Sequence, residues 1–216
     1  MKSVAINFPG KDNFVMQEAF KVLRSNIQFC GNDVKVVSIT SCHENEGKST
    51  ITLGLAKSFA ELGKKVLVID ADMRKSVMAG RNSNASNVKG LSEILSGLAS
   101  LEECLYRTQY ELMDIVFAGR FPPNPVELLS SPQFAKLVGS AREVYDYVFI
   151  DNAPIGLVID CAVVAPICDG TAIVINDDDR YRNVKKIINQ LEKGNGRLLG
   201  IIRNRIHDKK RKLTKN

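Results

Sequence analysis

What this chain lacks narrows its class before any motif is read. No apolar run is long enough to span a bilayer, since the longest candidate, Gly156 to Cys168, is interrupted by Asp160 and Pro166. The opening MKSVAINFPGKD has no signal-peptide apolar region, so a cytoplasmic protein is expected. No internal repeat or low-complexity tract divides the 216 residues, and 1–216 reads as a single domain with one sizeable core. The five cysteines (Cys30, Cys42, Cys104, Cys161, Cys168) have neither paired nor metal-type spacing, which argues against a disulfide scaffold and leaves reduced thiols. Cys161 and Cys168 read as core residues; Cys42 falls in a loop where a small passive residue fits best. Aromatics make up 6% of the chain, and none interleaves the basic segment 207–216, HDKKRKLTKN. A base-stacking surface for nucleic acid is therefore not expected, and a solvated, disordered basic tail is. The net charge of +6 permits an acidic partner without requiring one.

What is there is organised around Val36 to Thr50, VVSITSCHENEGKST. A β-branched run reads as a buried strand, a polar loop ends in Gly47-Lys48-Ser49-Thr50, and helical spacing follows over Ile51 to Leu62. This order suits a phosphate site: loop N–H groups and the positive end of the next helix converge on a β-phosphate. Lys48 then supplies a point charge for the β- and γ-phosphates, and the Ser49 hydroxyl a ligand for Mg²⁺. The first glycine of the G-x-x-x-x-G-K-S/T pattern is replaced by Cys42.

The remaining pattern alternates helix and strand. Gln17 to Phe29 reads as an amphipathic helix, with Glu18, Lys21 and Arg24 along one side as either a solvated face or a subunit contact. A short extended piece is expected at Val4 to Phe8 and strands at Lys65 to Asp70, Met113 to Ala118, Asp146 to Asp151, Gly170 to Asn176 and Leu198 to Arg203. Helices are expected at Leu91 to Ser96, Leu101 to Thr108, Val126 to Ser130, Pro132 to Val144, Val158 to Ile167 and Tyr181 to Lys193. Ser76 to Gly90 reads as a polar loop. The class is α/β, a mostly parallel sheet of P-loop NTPase type with helices on both faces.

Three strands end in chemistry: Lys48 and Ser49 follow the first, Asp70 and Asp72 the second, Asp151 the third. A parallel sheet brings such ends to one edge, so a lysine, a hydroxyl and three carboxylates are expected around a triphosphate with Mg²⁺. One carboxylate can accept the proton of an attacking hydroxyl.

These residues carry a resemblance. IDADMRK (Ile69 to Lys75) is similar to the Walker A′ motif of the bacterial tyrosine kinases that regulate capsular and extracellular polysaccharide synthesis, and FIDNAP (Phe149 to Pro154) to their Walker B. EAFKVLRSNIQF, GLSEIL and PPNPVELL resemble further family segments, and the likeness runs in order from Glu18 to Asn204. It implies an ATP- and Mg²⁺-dependent protein-tyrosine kinase on a fold related to the septum-positioning and partition ATPases. It implies nucleotide contacts at Asn45, Glu46, Gly47, Lys48, Ser49, Thr50 and Asn204, catalytic roles for Lys48, Asp70 and Asp72, and metal contacts at Ser49, Asp70 and Asp151. It also implies a homo-oligomer assembled through Glu18, Lys21 and Arg24, a membrane-embedded activator protein that recruits the kinase to the inner face of the membrane, and protein-tyrosine substrates.

The departures are specific. Glu44 and Asn45 stand where the family's loop has Pro and Gly, which puts a negative charge near phosphates, although Asn tolerates the left-handed turn. Lys21 replaces an arginine of the assembly helix and loses its bidentate fork. Asn152-Ala153 replace Thr-Pro, and no tyrosine cluster follows Arg205: the tyrosines are Tyr106, Tyr110, Tyr145, Tyr147 and Tyr181. Two other readings follow from these. One is a nucleotide-switched regulatory scaffold of a membrane assembly machine; the other is a partition-type ATPase acting on DNA or membrane, which His43 weighs against because it stands where that group has its signature lysine.

Overall fold

The β-branched run becomes strand β2 (Val36–Ser41), buried at every residue and third from one edge of a single sheet. A strand covered on both faces has no polar face, which is why VVSITS shows no polar alternation. The computed structural model describes residues 2–7, 13–81, 83–84, 88–177 and 181–206, the side chains of 181 and 182 excepted. The basic segment 207–216 and positions 82 and 85–87 of the polar loop lie outside the described residues.

The other strands are β1 (Lys2–Val4), β3 (Val66–Asp70), β4 (Leu105–Thr108), β5 (Met113–Val116), β6 (Tyr147–Asp151), β7 (Gly170–Asn176) and β8 (Leu198–Asn204). Across the sheet they run β1-β4-β5-β3-β6-β2-β7-β8, parallel except where β4 meets β5. The α/β, mostly parallel expectation holds.

The pleat divides the core in two. Val37, Ile39, Val68 and Phe149 face one side, where they meet helices α1 (Phe14–Phe29) and α2 (Lys48–Ala60) through Phe20, Ile27, Leu53 and Phe59. Val36, Leu67, Ile69, Val148 and Ile150 face the other. The short helices α3 (Met78–Arg81), α4 (Leu91–Leu95), α5 (Leu101–Cys104) and α6 (Pro125–Leu129) precede α7 (Pro132–Val144), which covers that second face with Phe134, Leu137 and Val138. Helices α8 (Asp160–Val164) and α9 (Tyr181–Lys193) close a third cluster over β7. Gly54 sets the α1–α2 approach, because a Cβ there would lie 2.2 Å from the Phe20 ring.

Several boundaries differ from the sequence pattern for local reasons. Helix α1 starts at Phe14, three residues early, because the Asn13 side chain accepts from the Met16 N–H and caps it. Helix α2 starts at Lys48, directly on the loop. The expected helix Leu101 to Thr108 is divided: α5 ends at Cys104 and Leu105–Thr108 is the antiparallel strand β4. Its buried Tyr106 packs edge-on against Phe117, a tertiary contact that overrides local helical spacing. The extended piece expected at Val4 to Phe8 is β1 at Lys2–Val4 with an isolated bridge at Ile6. The helix expected at Val158 begins at Asp160 and tightens to a 3₁₀ turn at Ala165–Ile167.

Candidate active site

The loop after β2 is held by its own polar groups. The Ser41 hydroxyl donates to the His43 carbonyl at 2.7 Å, and the His43 N–H donates to the buried Glu46 carboxylate at 2.9 Å. From β8, the Asn204 amide donates to the Glu46 carbonyl at 2.8 Å. Asn45 has φ +61° and Gly47 φ +89°, so the left-handed turn survives without the family's glycine at 45. A Cβ at Gly47 would lie 2.3 Å from the Asn204 amide nitrogen, so the close clamp requires glycine. Helix α2 follows at once, aiming its first N–H groups at the loop's concavity. Cys42 is buried in the cluster with Ile155 and Ile173 rather than presented to the cavity.

Strand register assembles the charges. Asp70 and Asp151 end the adjacent parallel strands β3 and β6 as direct partners. Lys48 Nζ lies 2.8 Å from Asp72 Oδ2 and 3.8 Å from Asp151 Oδ2. Burial alone would lower the Lys48 pKa, but the Asp151 and Asp72 carboxylates outweigh it and hold the ammonium above its ordinary range. Asp70 is pushed up, first by burial and then by the Asp151 charge, against a donated bond from the Ser76 hydroxyl. Asp151 is likewise raised by burial, partly offset by Lys48 and by the hydroxyls of Ser49 and Thr52. The expected gathering of Lys48, Ser49, Asp70, Asp72 and Asp151 is therefore what the fold builds.

The residues fit a hard cation. Asp151 Oδ2 is buried and accepts no hydrogen bond among the described residues, leaving a lone-pair donor aimed at the lysine. Ser49 lies in the first turn of α2, and its hydroxyl works against the raised pKa of Asp151. No three carboxylate, cysteine or histidine groups form a preformed cage among the described residues. That matches Mg²⁺, which takes one or two protein oxygens and fills its octahedron with water and phosphate.

A cavity opens over this cluster, lined by Glu44, Asn45 and Gly47 to Thr50 from the loop and helix start and by Asp72, Arg74, Pro154 and Leu157. Asp72 lines it; Asp70 and Asp151 lie behind. Glu44, the charge expected to oppose phosphates, is paired with Lys75 at 2.5 Å across the mouth. Asn152 turns away into the core, donating to the Ser38 hydroxyl at 2.9 Å.

Sequence reasoning missed Asp160. It is wholly buried and takes a bidentate grip on Arg74, Nε to Oδ2 at 2.8 Å and Nη2 to Oδ1 at 2.9 Å. Its only signal was a carboxylate inside an apolar helix, VIDCAVV. The assembly residues divide: Glu18 and Lys21 pair at 2.7 Å on the surface, whereas Arg24 turns inward and donates to the Ser58 carbonyl at 2.6 Å. All three lie on the continuous helix α1, with Arg24 at the end of the row that meets α2.

Residues 34–193 match the family model described as an AAA domain. The chain is 42% identical over 193 residues to the tyrosine-protein kinase CpsD of Streptococcus agalactiae, covering 89% of this chain and 84% of that one. It is 33% identical over 199 residues to a putative tyrosine-protein kinase, CapB of Staphylococcus aureus, covering 91% and 87%. Among solved structures, the chimerical protein CapA2B2 superposes with a TM-score of 0.86 at 31% identity, covering 95% of this chain and 94% of that one. The septum site-determining protein MinD from Pyrococcus horikoshii, complexed with Mg-ADP, superposes at 0.67 with 26% identity, covering 82% and 73%.

Proposed function

The chain belongs to the family of bacterial tyrosine-protein kinases that includes CpsD and CapB; its activity is protein-tyrosine phosphorylation, and we propose from that premise how its residues divide the work. The carrying observation is the single cluster formed by Lys48, Asp70, Asp72 and Asp151 beside a loop that lines one cavity.

Asn45, Glu46, Gly47, Lys48, Ser49 and Thr50 cradle the phosphates of ATP, with the loop clamped by Asn204 on the nucleoside side. Lys48 exchanges its pairing with Asp72 for the phosphate oxygens, which frees that carboxylate. Ser49, Asp70 and Asp151 form the metal side of the site. Bound there, Mg²⁺ supplies charge neutralisation and alignment of the phosphate oxygens. Of the three strand-end carboxylates only Asp72 lines the cavity, and the other lining carboxylate, Glu44, is paired with Lys75 at the mouth, so Asp72 accepts the proton of the tyrosine hydroxyl. The hydroxyl oxygen bonds the γ-phosphorus as the bond to the β,γ-bridging oxygen breaks, leaving phosphotyrosine and ADP.

Around this core we place a homo-oligomer contact on α1, where Glu18 and Lys21 are half exposed beside outward-facing Phe14, Val15 and Val22. A membrane-embedded activator completes the arrangement; no helix among the described residues is long and apolar enough to cross a membrane. The substrates are proteins that govern capsular and extracellular polysaccharide synthesis. The test is to incubate the protein with Mg-ATP and tyrosine-bearing proteins and assay phosphotyrosine. Its appearance, and its loss in Asp72→Asn, supports the assignment; ATP turnover with no phosphotyrosine supports the regulatory scaffold instead.

A further inference from the structure

The cavity has two flanks, and the strand order separates them. Counting from β2, which leads into the phosphate loop, β8 with Asn204 and Arg205 lies on one side, and β6 and β3 with Pro154, Leu157, Asp72 and Arg74 lie on the other. On the reading proposed above, the β8 side, where Asn204 clamps the phosphate loop, takes the nucleoside. The β3 side is left for the acceptor.

That acceptor side carries apolar walls and a cationic rim. Val77, Val158 and the half-exposed Leu157 offer a surface for an aromatic ring. Arg74 is pinned by Asp160 through Nε and Nη2, which leaves its Nη1 edge uncommitted, and the side chain remains 40% exposed. Arg81 closes the short helix α3, is exposed, and has no ion-pair partner among the described residues. Met78, wholly buried one turn earlier, anchors that helix, so Arg81 stands on a fixed base. Lys75 is the third cation here and is already matched by Glu44. The Asp72 and Asp70 carboxylates lie deeper, beneath the rim.

We propose that the protein acceptor presents its tyrosine within an acidic segment, and that Arg81, with Arg74 behind it, selects that segment. This rests on the kinase reading and names the substrate class for the same site. Carboxylates flanking the tyrosine meet the arginine forks while the ring lies along Leu157 and Val158. The segment 207–216 of this sequence is of the opposite class, with five cations, one carboxylate and no tyrosine. The rim repels it.

Three fluorescent tyrosine peptides of equal length, flanked by Glu, Ser or Lys, test this with Mg²⁺ and a non-hydrolysable ATP analogue, by anisotropy, alongside phosphorylation with Mg-ATP. The Glu peptide is expected to bind roughly ten-fold tighter than the Lys peptide, with the gap shrinking as salt rises and appearing in KM rather than kcat. Arg81→Glu should reverse the order, and Arg81→Lys should keep it. Equal binding of the three peptides, or an order unchanged in Arg81→Glu, overturns the proposal. Acid-selective binding with no phosphotyrosine on any peptide sustains the selector and sinks the kinase assignment; equal phosphorylation of all three does the reverse.

Discussion

Asp70 and Asp151 are register partners at the ends of adjacent parallel strands, so their carboxylates leave the sheet side by side, with Lys48 Nζ 3.8 Å from Asp151 Oδ2. Like charges held together in a buried site raise one another's pKa, and the single ammonium offsets only part of that. The site is therefore short of positive charge until a cation and its triphosphate arrive.

Removing that ammonium is the direct test. Lys48→Met should abolish nucleotide binding, measured by a fluorescent ATP analogue, while the far-ultraviolet circular dichroism stays native. Its stability should depend on pH in a stated direction. Carboxylates whose folded pKa lies above the unfolded value bind extra protons when folded, so stability falls as pH rises from the usual carboxylate range toward about 8, where Asp70 titrates. Losing Lys48 steepens that fall, so thermal melts of variant and wild type should differ more at pH 8 than at pH 5. Retained nucleotide affinity in the variant would sink the site.

Glu44 stands where phosphates approach, and Lys75 neutralises it across the cavity mouth. Glu44→Gln should tighten ATP binding by a few-fold, because the repulsion disappears and Lys75 becomes available to phosphate oxygens. Both groups are substantially exposed, so the gain should shrink in high salt. Isothermal titration at two ionic strengths reads it, and weaker binding in the variant would contradict the placement of Glu44.

At Gly54 helix propensity and packing oppose each other. Alanine would add about 1 kcal/mol of helix propensity, yet its Cβ would overlap the Phe20 ring at 2.2 Å. Overpacking of this kind costs about 1–3 kcal/mol, so Gly54→Ala should be net destabilising. Paired with Phe20→Leu the loss should be reduced, as chemical denaturation of the double mutant can show.

Asp169 ties three elements together, accepting from the Lys35 and Val36 N–H groups at 2.8 Å and from Arg142 at 2.6 Å. Burial works against its charge, but those donors prevail and hold its pKa below the ordinary value. A depressed folded pKa gives stability that is present above the unfolded pKa and lost as pH falls through the folded one. Asp169→Asn should therefore cost about 1–3 kcal/mol at neutral pH, with the difference narrowing below pH 4. A pH-independent difference would mean that the amide replaces the carboxylate's role.

Most of the strands and longer helices, the loop at Gly47-Lys48-Ser49 and the three terminal carboxylates were determined by the sequence; strand β4 and the short helix α3 were not. Each is a local property: β-branched runs, helical spacing, and polar groups placed where a strand must stop. The family likeness was local too, carried by short strings in order.

What only the tertiary structure decided were pairings between distant segments. Leu105–Thr108 is a strand because Tyr106 finds Phe117 and a neighbour in β5, although its local spacing reads as helix. Arg24 turns to Ser58, Glu44 meets Lys75, and Asp160 grips Arg74 from 86 residues away. Linear sequence records which charges exist, whereas the energy of a charge depends on its partner and its burial. Those two quantities are set only once β3, β6 and β2 lie side by side.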